Sequence, residues 1–208
     1  MDKRNKNYKG LLIIISSPSG AGKTTICKKI SKKDKNINLS ISYTTRKKRK
    51  SEIEGRHYNF INIKKFNEMK KNKMLLESAK VFGNNYGTPI KNIIKKIDNG
   101  KDVIFDIDWQ GANQIRKKFP NQIVDFFIMP PSIKELRMRL IKRGQDDLNI
   151  VNKRMKMAFK EIKHYDEYKY ILVNDNFNKT VKKIIDIIKI ERLQKSNLIK
   201  IRRNFNKI

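Results

Sequence analysis

The 208-residue sequence contains little cysteine and histidine and no long apolar run. A single cysteine, Cys27, can form no internal disulfide, which excludes a disulfide-stapled domain and leads us to expect a reducing, cytoplasmic location. The two histidines, His57 and His164, are far apart and have no thiol or carboxylate at ligand spacing, so we expect no zinc site or hydrolase triad. No segment approaches the roughly 18 apolar residues of a membrane span. The run at 11–15 is also too short for a secretory leader.

Acidic residues are scarce as well: the chain has 50 Lys and Arg residues but only 20 Asp and Glu residues, which gives a formal charge of +30. One interpretation is nucleic-acid binding through phosphate neutralisation. The other is that lysine fills surface positions of little consequence. Because the lysines are spread along the chain with few interleaved aromatics, we favour the second interpretation. Nucleic acid is therefore a possible partner of this chain but not the favoured one. A positive field still attracts nucleotides, which are anions.

A phosphate-binding pattern follows the first buried run. Residues 11–15 predict a strand buried on both faces, and a glycine-rich turn and a helix come next. Gly20 and Gly22 can adopt positive φ and direct backbone N–H groups at an anion. Lys23 would reach the outer phosphates of a nucleoside triphosphate, and Thr24 would ligate Mg²⁺. Ser17 stands where the strict pattern has glycine. The expected ATP-binding residues of this loop are Ser17, Pro18, Ser19, Gly20, Ala21, Gly22, Lys23 and Thr24.

Further blocks occur in a fixed order along the chain. They are S-Y-T-T-R-K-K-R at 42–49, E-S-A at 77–79, N-Y-G-T at 85–88, D-I-D-W-Q-G at 106–111, P-P-S at 130–132, R-G at 143–144 and V-N-D at 173–175. Together with the phosphate loop, this set resembles the guanylate kinases, a family of P-loop nucleoside monophosphate kinases. The resemblance runs from about residue 11 to about residue 188.

The resemblance implies that GMP or dGMP binds as the phosphoryl acceptor. A carboxylate such as Glu77 can accept the adjacent N1–H and N2 donors of guanine, and the hydroxyls of Ser42 and Thr88 can donate to O6. Arg46 and Arg49 would clamp the monophosphate. The expected GMP-binding residues are Ser42, Arg46, Arg49, Tyr58, Glu77, Tyr86, Thr88, Asp106 and Asp108.

The resemblance also implies a donor site for ATP with Mg²⁺ as cofactor. Thr24 would bind the metal together with Asp106 or Asp108, directly or through water. Asn174 would contact the adenine ring. The expected catalytic residues are Lys23, Arg46, Arg139, Arg143 and Arg154, the last three on a lid that closes over the transferring phosphoryl group.

We expect an α/β fold of the P-loop NTPase type, with three layers, a mostly parallel central sheet and two small subdomains. The predicted core comprises 8–40, 91–132 and 165–190, the GMP-binding subdomain 41–90, the lid 133–164 and a basic tail 191–208. Thr88 and Pro89 predict the N-cap and first position of a helix. Ser132 and Glu135 predict a capping box. No obligate protein partner is inferred, and the tail could be a frayed helix or a surface that contacts RNA or acidic lipid.

The predicted reaction is transfer of the ATP γ-phosphoryl group to GMP, giving ADP and GDP. Two alternatives remain open at this point. One is a catalytically inactive guanylate-kinase-like binding module, which would not need Lys23, Thr24 and both aspartates. The other is a basic nucleic-acid-binding NTPase, which would leave Glu77 and its neighbouring hydroxyls without a purpose.

Overall fold

A five-stranded parallel sheet forms the centre of the computed structural model, which describes residues 9–142 and 148–205. Its strands lie in the order β2, β7, β1, β8, β9. Their bounds are β1 Leu12–Ser16, β2 Ile37–Leu39, β7 Asp102–Asp106, β8 Ile123–Met129 and β9 Tyr170–Val173. All four pairings are parallel, and Ile15 of β1 pairs with Asp106 of β7. The segments that follow β1 and β7 therefore emerge side by side at one edge of the sheet.

Helices cover both faces of this sheet, as the three-layer α/β prediction requires. On one face, Ile13 and Ile15 pack with helices α1 (Lys23–Lys33) and α7 (Phe177–Phe205). On the other face, Leu12 and Ile14 pack with α3 (Ile90–Asp98) and α4 (Trp109–Lys118). Alternate residues of β1 thus serve two different cores, which explains why the strand has no polar face. The predicted fold class is confirmed.

A second, four-stranded sheet stands outside the central one. It has the order β4, β3, β6, β5, with bounds β3 Tyr43–Thr44, β4 Asn59–Phe60, β5 Leu75–Val81 and β6 Asn84–Pro89. Helix α2 (Ile63–Lys71) covers it, and Phe66, Met69 and Leu75 form its small core. The helix-start prediction at Thr88 was wrong: Thr88 lies inside β6, and α3 begins at Ile90 with Pro89 as N-cap and no side-chain cap.

Helices α5 (Ile133–Lys142) and α6 (Leu148–Ile162) pack on each other through five buried side chains, Leu136, Leu140, Val151, Met155 and Ala158. The Ser132 hydroxyl accepts the Glu135 amide at 3.1 Å, as the capping prediction requires. The Glu135 carboxylate, however, bonds Arg139 instead of completing the box. The sequence also predicts a lid turn at 146–152; residues 146 and 147 lie outside the described part of the chain, and from Leu148 onward the predicted turn is helix instead.

The C-terminal segment continues α7 without a break to Phe205. Arg192 anchors it, because its guanidinium bonds Asp102 and Asp34, both at 2.6 Å. Asp102 is fully buried and also accepts the backbone amide of Leu11 at 2.8 Å. The first turn of the predicted tail is therefore attached to the core through Arg192. In the described part of the chain, no helix combines the length and apolar character needed to cross a bilayer.

Candidate active site

The phosphate loop follows β1 and adopts the predicted backbone. Gly20 and Gly22 have φ values of 97° and 96°, the left-handed conformation in which a side chain would be strained. Ser17 does not adopt a positive φ, so replacing the glycine of the strict pattern costs no backbone strain there. Its hydroxyl donates to the carbonyl of Pro18 at 3.0 Å.

Two neighbours press directly against this loop. A Cβ added at Gly20 would lie 3.0 Å from methyl carbons of both Leu136 and Leu140 on α5. Asn174, which follows β9, donates from Nδ2 to the carbonyl of Ala21 at 2.9 Å. Asn174 is only 5% exposed, and its Oδ1 has no hydrogen-bond partner among the described residues. Asn174 therefore braces the loop, and contact of its Oδ1 with adenine stays a prediction.

Lys23, Thr24 and Asp106 form one polar cluster at the end of β1 and β7. Thr24 Oγ1 donates to Asp106 Oδ2 at 2.5 Å, and Lys23 Nζ lies 3.3 Å from Asp106 Oδ1. Lys23 also donates to the carbonyl of Ile107 at 2.9 Å. Burial opposes the charge of Lys23, but Asp106, Glu161 and Asp108 together raise its pKa. The lysine is held as a cation facing the loop.

The same cluster can be tested as a magnesium site. Mg²⁺ prefers hard oxygen ligands and usually takes only one or two from the protein. The Thr24 hydroxyl and the Asp106 carboxylate are adjacent oxygens of this kind. Asp108 is differently placed, because Oδ1 caps α4 at the Gly111 amide, at 3.1 Å, and Oδ2 accepts Gln110 Nε2 at 2.9 Å. Among the described residues, no group of three or more His, Cys, Asp or Glu side chains could hold a metal ion. The geometry favours Thr24 and Asp106 as the ligand pair.

The three residues expected to bind a base lie close together although they come from different elements. Ser42 precedes β3, Glu77 lies in β5 and Thr88 lies in β6. Ser42 Oγ lies 3.0 Å from Thr88 Oγ1, and Thr88 is paired with Glu77 across β5 and β6. Glu77 is 3% exposed. Burial raises its pKa to about 7, with Asp108 adding to the rise and the Thr88 hydroxyl opposing it. The set is a polar wall in which a buried carboxyl lies beside two hydroxyls.

Helix α4 fixes the strand that carries Glu77. The Gln114 side chain bonds both the amide and the carbonyl of Ser78, at 3.0 and 2.7 Å. Lys118 bonds the carbonyl of Leu76. Between these contacts, a Cβ at Gly111 would lie 2.7 Å from Glu77 Oε2, so only glycine lets the carboxyl approach the helix. Gln114, Lys118 and Gly111 position Glu77, although sequence reasoning gave them no such role.

Arg46, Tyr58 and Tyr86, which are expected at the GMP site, also lie close together. Arg46 lies over the rings of Tyr58 and Phe60, with its central carbon 5.6 and 5.7 Å from their centroids, and the Tyr58 and Tyr86 rings are 5.8 Å apart. Burial raises the pKa of Tyr58 to about 12, with Asp106 adding to the rise.

Glu52 organises this group, a role that sequence reasoning missed. Its Oε1 accepts Arg46 Nη2 at 2.6 Å and its Oε2 accepts the Arg49 amide at 2.8 Å. The Arg49 residue itself is exposed. The five-cation run at 46–50 therefore contains one arginine held by a carboxylate, whereas the rest faces solvent.

The three expected lid arginines differ in placement. Arg139 bonds Glu135 at 2.9 Å and lies 3.4 Å from the carbonyl of Asn174, near the phosphate loop. Arg154 lies on α6 and is half-buried. Arg143 lies outside the described residues.

Comparison with known proteins agrees with this arrangement. The family model for guanylate kinase matches residues 9–191. A guanylate kinase of Histophilus somni is 48% identical over 188 residues, 89% of this chain and 90% of the relative. One of Rhizobium meliloti is 44% identical over 187 residues, 90% of this chain and 85% of the relative. The crystal structure of guanylate kinase from Anaplasma phagocytophilum superposes with a TM-score of 0.76 at 35% identity, covering 89% of this chain and 88% of that one.

The chain belongs to the guanylate kinase family. The predicted family resemblance is thereby confirmed. The match ends at Glu191, so the helical extension beyond it is a feature of this chain outside the guanylate kinase model.

Proposed function

We propose that this cleft transfers the γ-phosphoryl group of ATP to GMP in the presence of Mg²⁺, giving ADP and GDP. GMP phosphorylation is the activity that membership of the guanylate kinase family supports, and it makes the chain a nucleoside monophosphate kinase. The observation that carries the proposal is the convergence of Ser42, Thr88 and Glu77, with Glu77 held against Gly111 of α4, the helix that begins just after Asp106 and Asp108. We further infer a cytoplasmic location, consistent with a buried, unpaired Cys27.

Guanine is the base that satisfies this polar wall. Its N1–H and N2 amine would both donate to an ionised Glu77, and its O6 would accept from Ser42 or Thr88. Adenine presents an acceptor at N1 and would leave the carboxylate facing a lone pair. Since a buried polar group without a partner costs about 1–3 kcal/mol, each mismatch lowers affinity by one to two orders of magnitude.

The acceptor phosphate would lie between the base wall and the donor. Arg46, held by Glu52, supplies a fixed positive charge, and the hydroxyls of Tyr58 and Tyr86 supply donors. Arg49 would join them when GMP binds.

Thr24 and Asp106 would hold Mg²⁺ on the donor side, and the metal would supply charge neutralisation on the phosphates of ATP. Lys23 would bind the outer phosphates, and backbone N–H groups of residues 19–24 would surround them. Arg139, Arg143 and Arg154 would add positive charge as the transition state forms.

The chemistry needs no dedicated base. A phosphate oxygen of GMP attacks the γ-phosphorus, a new P–O bond forms, the bond to the β–γ bridging oxygen breaks, and that oxygen leaves on ADP. The chain's residues contribute alignment and fixed charge, which are the main sources of rate in phosphoryl transfer. Closure of the cleft would exclude water and limit hydrolysis of ATP.

The test is ADP formation from Mg-ATP with GMP, dGMP, AMP, CMP or UMP, for the wild type, Glu77→Gln and the control Glu68→Gln. Glu68 is an exposed carboxylate on α2. We expect activity confined to GMP and dGMP, a KM for GMP raised more than tenfold by Glu77→Gln, and no effect of the control. Folded protein that binds GMP without transfer would favour the inactive module. Absence of GMP binding, with salt-sensitive RNA binding, would favour the nucleic-acid-binding NTPase.

A further inference from the structure

Glu161 links the last turn of α6 to the phosphate loop. Its Oε2 accepts the backbone amide of Ser19 at 3.0 Å, and the residue is 9% exposed. Ser19 lies in the loop four positions before Lys23. A carboxylate carried by α6 therefore binds one of the backbone amides that the proposed function assigns to the phosphates of ATP.

The charges around Glu161 make this contact sensitive to a second anion. Burial raises the pKa of Glu161, and Asp108 adds to the rise, whereas Lys23 and the Ser19 amide oppose it. Glu161 in turn helps to raise the pKa of Lys23, together with Asp106 and Asp108. The negative charges of Asp106, Asp108 and Glu161 thus all favour the cationic form of one lysine. A triphosphate entering the loop would meet like charge at Glu161 and would compete for the same N–H donor.

We propose that Glu161 is an internal counter-anion of the phosphate loop, which binds the Ser19 amide while the donor site is empty and gives it up to the phosphates of the donor nucleotide. This inference rests on the proposed function, because it takes the loop as the ATP site. Glu161 is a positioning residue: it keeps the loop and Lys23 arranged around an anion, and it ties the end of α6 to the loop until nucleotide arrives.

Release of Glu161 should be detectable through the fluorescence of a nearby tryptophan, Trp109. His164, three residues further on, stacks on Trp109 with ring centroids 3.7 Å apart and an interplanar angle of 10°. Glu161, Asp108, Trp109 and His164 all line one cavity of about 350 Å³. Trp109 is the sole tryptophan of the chain. Its fluorescence should therefore change when the end of α6 moves away from the loop.

The test is equilibrium binding of the non-hydrolysable ATP analogue Mg-adenylyl imidodiphosphate, without GMP, measured by calorimetry and by Trp109 fluorescence. Glu161→Gln keeps the size of the side chain and an acceptor oxygen but removes the charge. Because a neutral acceptor competes less well for the amide than a carboxylate, we expect the variant to bind the analogue about tenfold more tightly. The KM for ATP should fall in the same proportion while the KM for GMP stays unchanged. The control Asp166→Asn removes an exposed negative charge five residues away and should leave Kd unchanged.

Weaker or unaltered binding by a folded Glu161→Gln protein would overturn the proposal, since it would make Glu161 a permanent brace. Hydrogen exchange on the wild type gives a second measurement that needs no variant. The analogue should speed exchange of the amides at 158–163, and slower or unchanged exchange there would also contradict release. If the wild type bound no analogue at all, the proposed function itself would fail.

Discussion

Replacing Glu77 by glutamine tests whether the carboxylate proposed to bind guanine lowers the stability of the folded protein. Glu77 is 3% exposed, and burial raises its pKa to about 7 from an ordinary value of 4.5. The folded protein thus holds a proton on Glu77 that the unfolded chain releases at lower pH. The free energy of unfolding contains a favourable contribution below pH 4.5 that is lost as pH rises and is fully lost above about pH 7.

The size of this effect follows from the shift. One pKa unit corresponds to about 1.4 kcal/mol, so ionising Glu77 in the folded state costs about 3 kcal/mol above pH 7. Glutamine has nearly the same shape and carries no charge. The variant should therefore gain stability relative to the wild type as pH rises from 5 to 8.5, by about 2–3 kcal/mol over that interval. Its GMP affinity relative to that of the wild type should fall over the same range, because only the wild type gains an ionised carboxylate as pH rises.

Urea unfolding of wild type and Glu77→Gln in parallel, at several pH values and without nucleotide or metal, measures this difference directly. Any constant offset from altered hydrogen bonding to Thr88 cancels, because only the pH dependence of the difference is compared. The control Glu68→Gln, on the exposed side of α2, should give a difference that does not vary with pH. A flat difference for Glu77→Gln as well would refute the reasoning and show that Glu77 ionises in the folded state as it does in the unfolded chain.

Three further predictions concern other parts of the structure. GMP binding should weaken as pH falls below 7, approaching tenfold per pH unit, because guanine needs an ionised Glu77. Calorimetric titrations at several pH values should show this loss in the wild type. Glu77→Gln should show only the smaller dependence that comes from titration of the GMP phosphate. Glu52→Gln should raise the KM for GMP about tenfold by loosening Arg46 and leave the KM for ATP unchanged in steady-state kinetics. Arg192→Ala should lower the free energy of unfolding by about 3–5 kcal/mol, because it leaves the Asp102 carboxylate buried without its cation. Chemical denaturation should show this loss, whereas the KM values of the folded variant should stay normal.

The phosphate loop illustrates how far local sequence can go. Positive φ at Gly20 and Gly22, the strand before them and the helix at Lys23 were all predicted, and all are found. This succeeds because turn geometry and buried-strand composition depend on neighbours in the sequence.

The second sheet shows where local reasoning stops. Strands β3 and β4 have two residues each, too few for a hydrophobic period, and they form because β3 pairs with β6 and β4 pairs with β3. Thr88 has the composition of a helix cap, but pairing with Glu77 in β5 outweighs that preference and keeps it in a strand.

The sequence by itself determined the fold class, the phosphate loop and, through its ordered motifs, the family and the residues expected at the site. Only the tertiary structure decided how those residues are held. Glu52 holds Arg46, Gly111 admits Glu77 against α4, and Glu161 reaches Ser19 across 142 positions of chain. The physical reason is that each of these contacts depends on which residues the fold brings close together, and each consists of a single hydrogen bond or of space left by a missing Cβ. Such a partner leaves no periodic pattern or motif of its own in the sequence.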